Sequence, residues 1–172
     1  MARNKLTGTI AFKERQQFRQ AWLWTLIFFS AVGSLVLLLV LGLDDLRKGK
    51  PGVLNALGIV SGIHLINLSL FYYTCLETHV TDAGIFYRWR PFFRSYNVIA
   101  WSEIQEVIVR KYTLMNFGYH VSKEYGKVYN TDGGKGIQLI LQNGKKVFIG
   151  SQRIAALESA IGEFKGVSVQ LK

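Results

Sequence analysis

Two long stretches without a charged residue occupy the first half of the chain, at residues 21–43 and 53–76. About 20 apolar residues in a helix are enough to cross the hydrocarbon core of a bilayer. Because lipid offers no hydrogen-bond partners to the backbone, helix is the expected form of such a segment. The pattern therefore predicts two transmembrane helices that form a hairpin around a nine-residue loop at 44–52.

A cleavable signal peptide is the main alternative for the first stretch. Its apolar core would measure about 7–15 residues and end in small residues at the cleavage site. Here the small residues lie in the middle of the stretch, and nine further apolar residues (35–43) follow them. We therefore interpret the first stretch as a retained membrane helix.

The pattern changes after Glu77 to short runs in which apolar and polar residues alternate between turn residues, as in β-strands. The sharpest signal is Asn143-Gly144 between two alternating runs, which is typical of a β-hairpin because both turn positions tolerate a positive φ. The strands predicted from this pattern cover residues 85–90, 96–101, 104–111, 119–122, 127–130, 137–142 and 145–150.

The chain then switches to helical spacing. Ser151 offers a capping oxygen, and the apolar residues behind it recur at intervals of three and four: Ile154, Leu157, Ala160, Ile161 and Phe164. About seven antiparallel strands followed by one capping helix predict an α+β fold, with a small barrel or sandwich and a helix over its open end.

This order resembles the bacterial pleckstrin-homology-domain (PH-domain) membrane proteins with a two-helix anchor, in particular an uncharacterised group found in Bacteroidetes-type bacteria. The segments that carry the resemblance are residues 12–20, 81–85, 87–92, 99–104 and 135–150. The resemblance implies a PH-like domain and a bacterial inner membrane, but no established ligand. In many eukaryotic relatives the phosphoinositide site needs a basic first loop, whereas this chain has Asp82-Ala83-Gly84 there, so that site is not carried over.

Four segments follow from these patterns. Residues 1–20 are predicted to be a basic cytosolic juxtamembrane segment, with a helical turn before the first span. Residues 21–76 form the transmembrane hairpin, residues 77–166 the PH-like domain and residues 167–172 a tail.

The charge of the chain bears on its orientation. It has 21 Lys and Arg against 11 Asp and Glu, and five of the basic residues precede the first span. Lys and Arg near the ends of membrane spans favour the cytoplasmic side. Both termini and the PH-like domain are therefore expected in the cytoplasm, although the short loop also carries three basic residues.

Several small or polar residues lie within the spans. Gly58 and Gly62 form a GxxxG stripe, and Ser30 and Ser34 repeat its spacing. Such stripes let helices pack closely, either within the hairpin, which we favour, or against another membrane protein.

Ser61, His64 and Asn67 share one face of the second span. Polar groups at this depth are costly unless they face protein or water. Hydrogen bonding between helices is the favoured interpretation. The alternative is a subunit of a membrane transport complex in which His64 and Asn67 line a shared pathway.

The chain carries no pattern typical of catalysis. The three histidines and Cys75 lack zinc-ligand spacing, no carboxylate pair suggests acid–base chemistry, and no nucleophile elbow is present. We expect a protein that is not an enzyme, with no catalytic residue, metal or cofactor.

Basic side chains are instead the candidate contacts. Arg88 and Arg90 share one face of a predicted strand, with Tyr87 and Trp89 on the other. The full set predicted to meet anionic headgroups or a partner comprises Arg15, Arg19, Arg88, Arg90, Arg94, Arg110 and Lys111. A solvated strand face is the alternative. The expected partners are membrane lipids and a membrane or cytosolic protein, or a second copy, and no nucleic acid is expected.

Overall fold

The computed structural model describes residues 6–112, 117–132 and 134–164, and the backbone of 170–171. The chain forms two compact units: a helical unit at Phe18–Tyr73, and a β unit assembled from Met1–Gln17 and Thr74–Lys172. The elements, in chain order, are β1 Ile10–Gln17, α1 Ala21–Arg47, α2 Gly52–Tyr73, β2 Cys75–Thr81, β3 Gly84–Arg90, β4 Asn97–Ala100, the 3-10 turn Trp101–Glu103, β5 Ile104–Lys111, β6 Gly118–Ser122, β7 Gly126–Asn130, β8 Lys135–Leu141, β9 Lys146–Gly150, α3 Ile154–Phe164 and β10 Gln170–Leu171.

The two predicted spans are long apolar helices. Of the most apolar 18-residue window in each, 11% is buried in α1 and none in α2, so neither is the core helix of a soluble fold. Their ends differ from the prediction. Helix α1 continues through the charged residues to Arg47, and α2 stops at Tyr73, because Cys75 and Leu76 already belong to strand β2. The structure thus contains two candidate membrane spans.

The two helices pack against each other within their unit. Gly42 is buried against Val53, and a Cβ at Gly42 would lie 2.6 Å from both methyl groups of that valine. Near the middle, Ser34 Oγ lies 2.8 Å from His64 Nε2. At the other end, the rings of Phe18 and Phe71 meet edge to face at 5.7 Å. These contacts define an antiparallel hairpin.

A substitution at Gly42 tests this packing. We expect Gly42→Leu to force α1 away from Val53, because the added side chain has no room between the helices. Gly33→Leu is the matched control, since a Cβ at Gly33 meets no atom of the described residues within 4 Å. Cross-linking between cysteines placed on α1 and α2 should fall only in Gly42→Leu; equal cross-linking in both variants would contradict this packing.

The first sheet of the β unit is an antiparallel meander in the order β1-β2-β3-β4. Strand β1 was not predicted from the sequence, because residues 10–17 lie in the segment predicted to be a juxtamembrane helical turn. That prediction was wrong: the segment pairs with β2, from Ile10 opposite Thr81 to Gln17 opposite Cys75. The helical hairpin is therefore inserted between two neighbouring strands of one sheet.

The second sheet has the order β10-β5-β8-β9-β7-β6. Two of its pairings, β7 with β9 and β10 with β5, are parallel, so the expectation of a purely antiparallel fold was wrong. The two sheets do not close into a barrel. The coarser prediction is confirmed: this is an α+β protein in which two apolar helices accompany two sheets and a C-terminal helix.

The hairpin predicted at Asn143-Gly144 is present between β8 and β9. Its turn differs from the prediction, because only Gly144 has a positive φ, of 76°. Gly144 N donates to Leu141 O at 2.8 Å, and Lys145 N donates to Asn143 Oδ1 at 3.0 Å. A single left-handed glycine thus closes the turn.

The core lies between the facing sides of the sheets. Alternate residues of the central strands point inward, including Leu76, Trp89, Leu139 and Ile149. Helix α3 packs on β1, β2 and β8 and buries Leu157, Ala160 and Ile161. Of the predicted tail, 167–172, only the backbone of the two-residue strand β10 lies within the described residues.

Candidate functional site

Basic side chains collect on the outer side of the first sheet. Residues directly opposite each other in an antiparallel pair point to the same face. Arg15 is opposite Glu77, Glu77 is opposite Arg88, and Arg90 is opposite Cys75. Lys13, opposite His79, extends the row. With Arg94 of the following loop, we call this the basic face: Lys13, Arg15, Arg88, Arg90 and Arg94.

Glu77 is the acid that organises this face. Its Oε2 accepts a hydrogen bond from Arg88 Nε at 2.6 Å, and its Oε1 accepts one from Arg90 Nη1 at 3.2 Å. Tyr96 Oη donates to Oε2 at 3.3 Å, and the Arg88 guanidinium stacks 4.3 Å from the centre of the same ring. The carboxylate side chain is 11% exposed. One buried acid therefore holds two arginines and a tyrosine in fixed positions.

The loop at residues 91–96 continues the basic face. Phe93 N donates to Trp89 O at 2.8 Å, and Arg88 Nη1 donates to Arg94 O at 3.2 Å, so the loop backbone is fastened to β3. Phe92 and Phe93 are 58% and 43% exposed. Two aromatic rings thus stand in solvent beside a cluster of arginines, in an arrangement that the strand pattern did not indicate.

Glu77 and His79 are among the titratable groups on this face whose pKa values are shifted. Burial alone would raise the pKa of Glu77, but the hydrogen bonds and charges of Arg88 and Arg90 outweigh it and hold that pKa below its ordinary value. Burial is the main cause of a lowered pKa at His79, and the positive charges of Lys13 and Arg88 act in the same direction; together they outweigh the Glu77 carboxylate, which would raise that pKa. His79 Nδ1 has no hydrogen-bond partner among the described residues, which fits a neutral ring.

The lowered pKa of His79 predicts sensitivity to mild acid. An unfolded histidine takes up a proton near pH 6.5, whereas folded His79 resists protonation, so the free energy of unfolding should fall as the pH drops below about 6.5. Burial lowers the pKa of His120 in the second sheet in the same direction.

Urea unfolding of the full chain in detergent at pH 7.0, 6.0 and 5.0 checks this expectation. The slope of the free energy of unfolding against pH should be smaller in His79→Gln, and smaller again when His120→Gln is added. An undiminished slope in the double variant would show that other groups are responsible.

Some predicted contact residues lie elsewhere. Arg110 and Lys111 end strand β5 of the second sheet, where Arg110 binds Glu124 Oε1 and Gln138 Oε1, each at 2.8 Å. Arg19 belongs to the helical unit, just before α1. Arg15 does join the basic face, and its Nε lies 3.3 Å from Cys75 Sγ. The structure thus groups Arg15 with Arg88, Arg90 and Arg94 on the first sheet, and assigns Arg110 and Lys111 to the second sheet and Arg19 to the helical unit.

The polar residues of the spans make different kinds of contact. Ser34 and His64 join the two helices, whereas Asn67 is exposed and donates to Ile63 O of its own helix at 3.0 Å. Ser30 is exposed and Ser61 is half-buried. A Cβ at Gly58 or Gly62 would meet no atom of the described residues within 4 Å. The favoured packing of that glycine stripe against α1 is therefore wrong; the hairpin uses Gly42 instead.

A buried polar network holds β1 to the rest of the β unit. Glu14, 5% exposed, accepts hydrogen bonds from Ser151 Oγ at 2.7 Å and from Gln152 N at 3.0 Å. Gln16 Nε2 donates to Glu14 and, at 2.6 Å, to Gly150 O, while Thr131 Oγ1 donates to Gln16 Oε1 at 3.0 Å. This network ties the strand before the helical hairpin to the segment that leads into α3.

Within the described ranges, no three His, Cys, Asp or Glu side chains come together in a way that could hold a metal ion. No protein-family model, no curated protein and no solved structure matches this chain.

Proposed function

We propose that this chain is a non-enzymatic, membrane-anchored binding module whose basic face engages anionic lipid headgroups. The observation that carries the proposal is the joining of five basic side chains and two exposed phenylalanines on one surface of the β unit. Only Thr74 separates the end of α2 from β2, the central strand of that face. The module would thus act at the surface of the membrane that anchors it.

Electrostatics supports this role. A basic residue near an anionic membrane surface contributes about 1 kcal/mol. The face carries five such residues against the single carboxylate of Glu77, which is already saturated by Arg88, Arg90 and Tyr96. Five bases and one carboxylate leave this face with a net positive charge, which is available to phosphate groups.

The exposed aromatic rings support the same role. Aromatic side chains favour the interface between headgroups and acyl chains. Phe92 and Phe93 stand on a loop whose backbone is fixed by two hydrogen bonds, so placing them in the interface would cost little ordering of the chain. If the basic residues served only to keep the strand face in solvent, two exposed aromatic rings beside them would not be expected.

The insertion of the hairpin supports the anchored arrangement. Strands β1 and β2 precede and follow the two helices and pair with each other. Paired strands must be on one side of a membrane, so the chain between them would cross it an even number of times. A cleaved first helix would remove β1 from its sheet.

We also propose that the β unit is a PH-like domain in the cytoplasm, attached to a bacterial inner membrane. The two sheets with a C-terminal helix and the positive charge beside the spans support it. In this setting the module would serve as a scaffold or accessory subunit for a membrane or cytosolic protein. The transport alternative is less well supported, since His64 is bonded to Ser34 and Asn67 to its own helix.

Reversing two exposed charges tests headgroup binding. Lys13→Glu with Arg94→Glu removes two bases from the basic face without touching Glu77, and should reduce the enrichment of phosphatidylglycerol over phosphatidylcholine by about tenfold or more. The matched control is Lys111→Glu with Lys135→Glu, an exposed pair on the second sheet. Native mass spectrometry of the full chain released from mixed-lipid nanodiscs measures the bound lipids. Equal enrichment in both variants would contradict the proposal.

A further inference from the structure

A cleft opens where the two sheets fail to close. It has a volume of about 540 Å³ and lies between the β4 end of the first sheet and strands β6, β7 and the β8–β9 turn of the second. Clefts of roughly 300–1,000 Å³ are typical of ligand sites. This cleft is separate from the basic face, because none of the five basic residues of that face lines it, and Tyr87, which does, points to the opposite side of β3 from Arg88.

The lining combines an apolar floor with a positive rim. The floor is formed by Tyr87, Ile99 and Val147, each about 95% buried, and by Val121, which is 69% exposed. The charged residues of the lining are Lys127, Lys145, Lys146 and Glu103. Glu103 Oε2 accepts a hydrogen bond from Ala100 N at 3.3 Å, so its charge is partly engaged locally. The lining therefore favours a ligand that is both apolar and anionic.

Two strand edges border the cleft. In the described part of the chain, β4 pairs only with β3, and β6 pairs only with β7. An edge strand presents backbone N–H and C=O groups that can pair with an additional strand. Val98 and Ile99 of β4 and Val121 of β6 are among the cleft-lining residues. An extended chain placed here would meet backbone partners as well as apolar surface.

We propose that this cleft binds an extended peptide segment of a partner protein, in which acidic and apolar residues alternate, and that the segment adds as a strand to the edge of β4. Backbone hydrogen bonds would supply affinity, and the pockets beneath alternate side chains would supply selectivity. The lysines would pair with the acidic side chains. The free strand edges favour a peptide over an anionic lipid, because an acyl chain makes no use of backbone donors.

A fluorescein-labelled hexapeptide of sequence Val-Glu-Val-Glu-Val-Glu is a suitable probe. Its binding to the full chain in phosphatidylcholine nanodiscs is measured by fluorescence anisotropy at low salt. We expect Lys127→Glu with Lys145→Glu, and separately Val121→Asp, to weaken binding by about tenfold or more. Lys111→Glu with Lys135→Glu makes the same charge change outside the cleft and should bind as the unaltered chain does. Equal loss in cleft and control variants, or no binding at millimolar peptide, would overturn the proposal.

Two further probes separate a peptide site from a lipid site. Two variants of the hexapeptide carry N-methyl groups on alternate backbone amides, one variant for each of the two possible patterns. Each keeps its side chains but cannot donate backbone hydrogen bonds along one edge. At least one of the two should therefore bind about tenfold more weakly. Dodecanoate should fail to displace the labelled peptide at concentrations below its micelle-forming range. Displacement by dodecanoate together with unchanged binding of both methylated peptides would identify an acyl-anion site instead. Lys13→Glu with Arg94→Glu should leave peptide binding unchanged, so this test stands apart from headgroup binding.

Discussion

Glu14→Ala is expected to lower the free energy of unfolding of the β unit by about 3 kcal/mol, because buried donors left without an acceptor each cost about 1–3 kcal/mol. The substitution removes the acceptor of Ser151 Oγ, Gln152 N and Gln16 Nε2, the first two of which belong to the segment leading into α3. Gln16 retains its bond to Gly150 O, so the loss is partial for that side chain. The effect should be concentrated in β1 and in the start of α3.

Glu163→Ala is the matched control, since it makes the same change at an exposed position of α3. Urea unfolding of the full chain in detergent, followed by near-ultraviolet circular dichroism, reports the stability of the packed aromatic core. Hydrogen exchange then shows whether β1 is the strand that loses protection. If Glu14→Ala and Glu163→Ala unfold at the same urea concentration, β1 is not held by this network.

Glu77→Ala should cost about 2–3 kcal/mol, less than the roughly 3–5 kcal/mol lost when one partner of a fully buried ion pair is removed, because the Arg90 side chain is half exposed. Arg88 and Arg90 lose their shared carboxylate. Their two positive charges then lie on the same side of β3 without an acid between them. Tyr96 loses the same acceptor. We therefore expect both a less stable first sheet and a looser loop at residues 91–96.

The acid dependence of Glu77 gives this prediction a second readout. Since the pKa of folded Glu77 is below its ordinary value, its stabilising contribution is present above that value and is lost as the pH falls through the folded pKa. Stability of the unaltered chain and of Glu77→Ala should therefore converge in strong acid. A difference between them that persists undiminished at pH 2 would show that the ionised carboxylate is not the cause.

Apolar periodicity was enough to predict most elements of this fold. The two helices, strands β3, β5, β8 and β9, and helix α3 all follow from runs of apolar residues at the expected spacing. Strand β1 was missed because two of its inward side chains, Glu14 and Gln16, are polar. Their burial depends on partners more than 100 positions away in the sequence, so no local pattern could indicate it.

The candidate site was predictable only in part, for a similar reason. Alternation along one strand was sufficient to place Arg88 and Arg90 together. Arg15 joins them only through the pairing of β1 with β2, across the inserted helices. Nearness in sequence was misleading for Arg110, because the 3-10 turn at Trp101–Glu103 passes the chain from the first sheet to the second.

The most direct test of the central proposal is an environment-sensitive fluorophore on the loop of the basic face. Ser95→Cys offers an exposed thiol beside Arg94, while Cys75 is buried and protected from labelling. With the full chain labelled in nanodiscs, emission should shift to the blue in phosphatidylglycerol relative to phosphatidylcholine, and high salt should reverse the shift. The same emission in both lipids at low salt would contradict headgroup binding by the basic face.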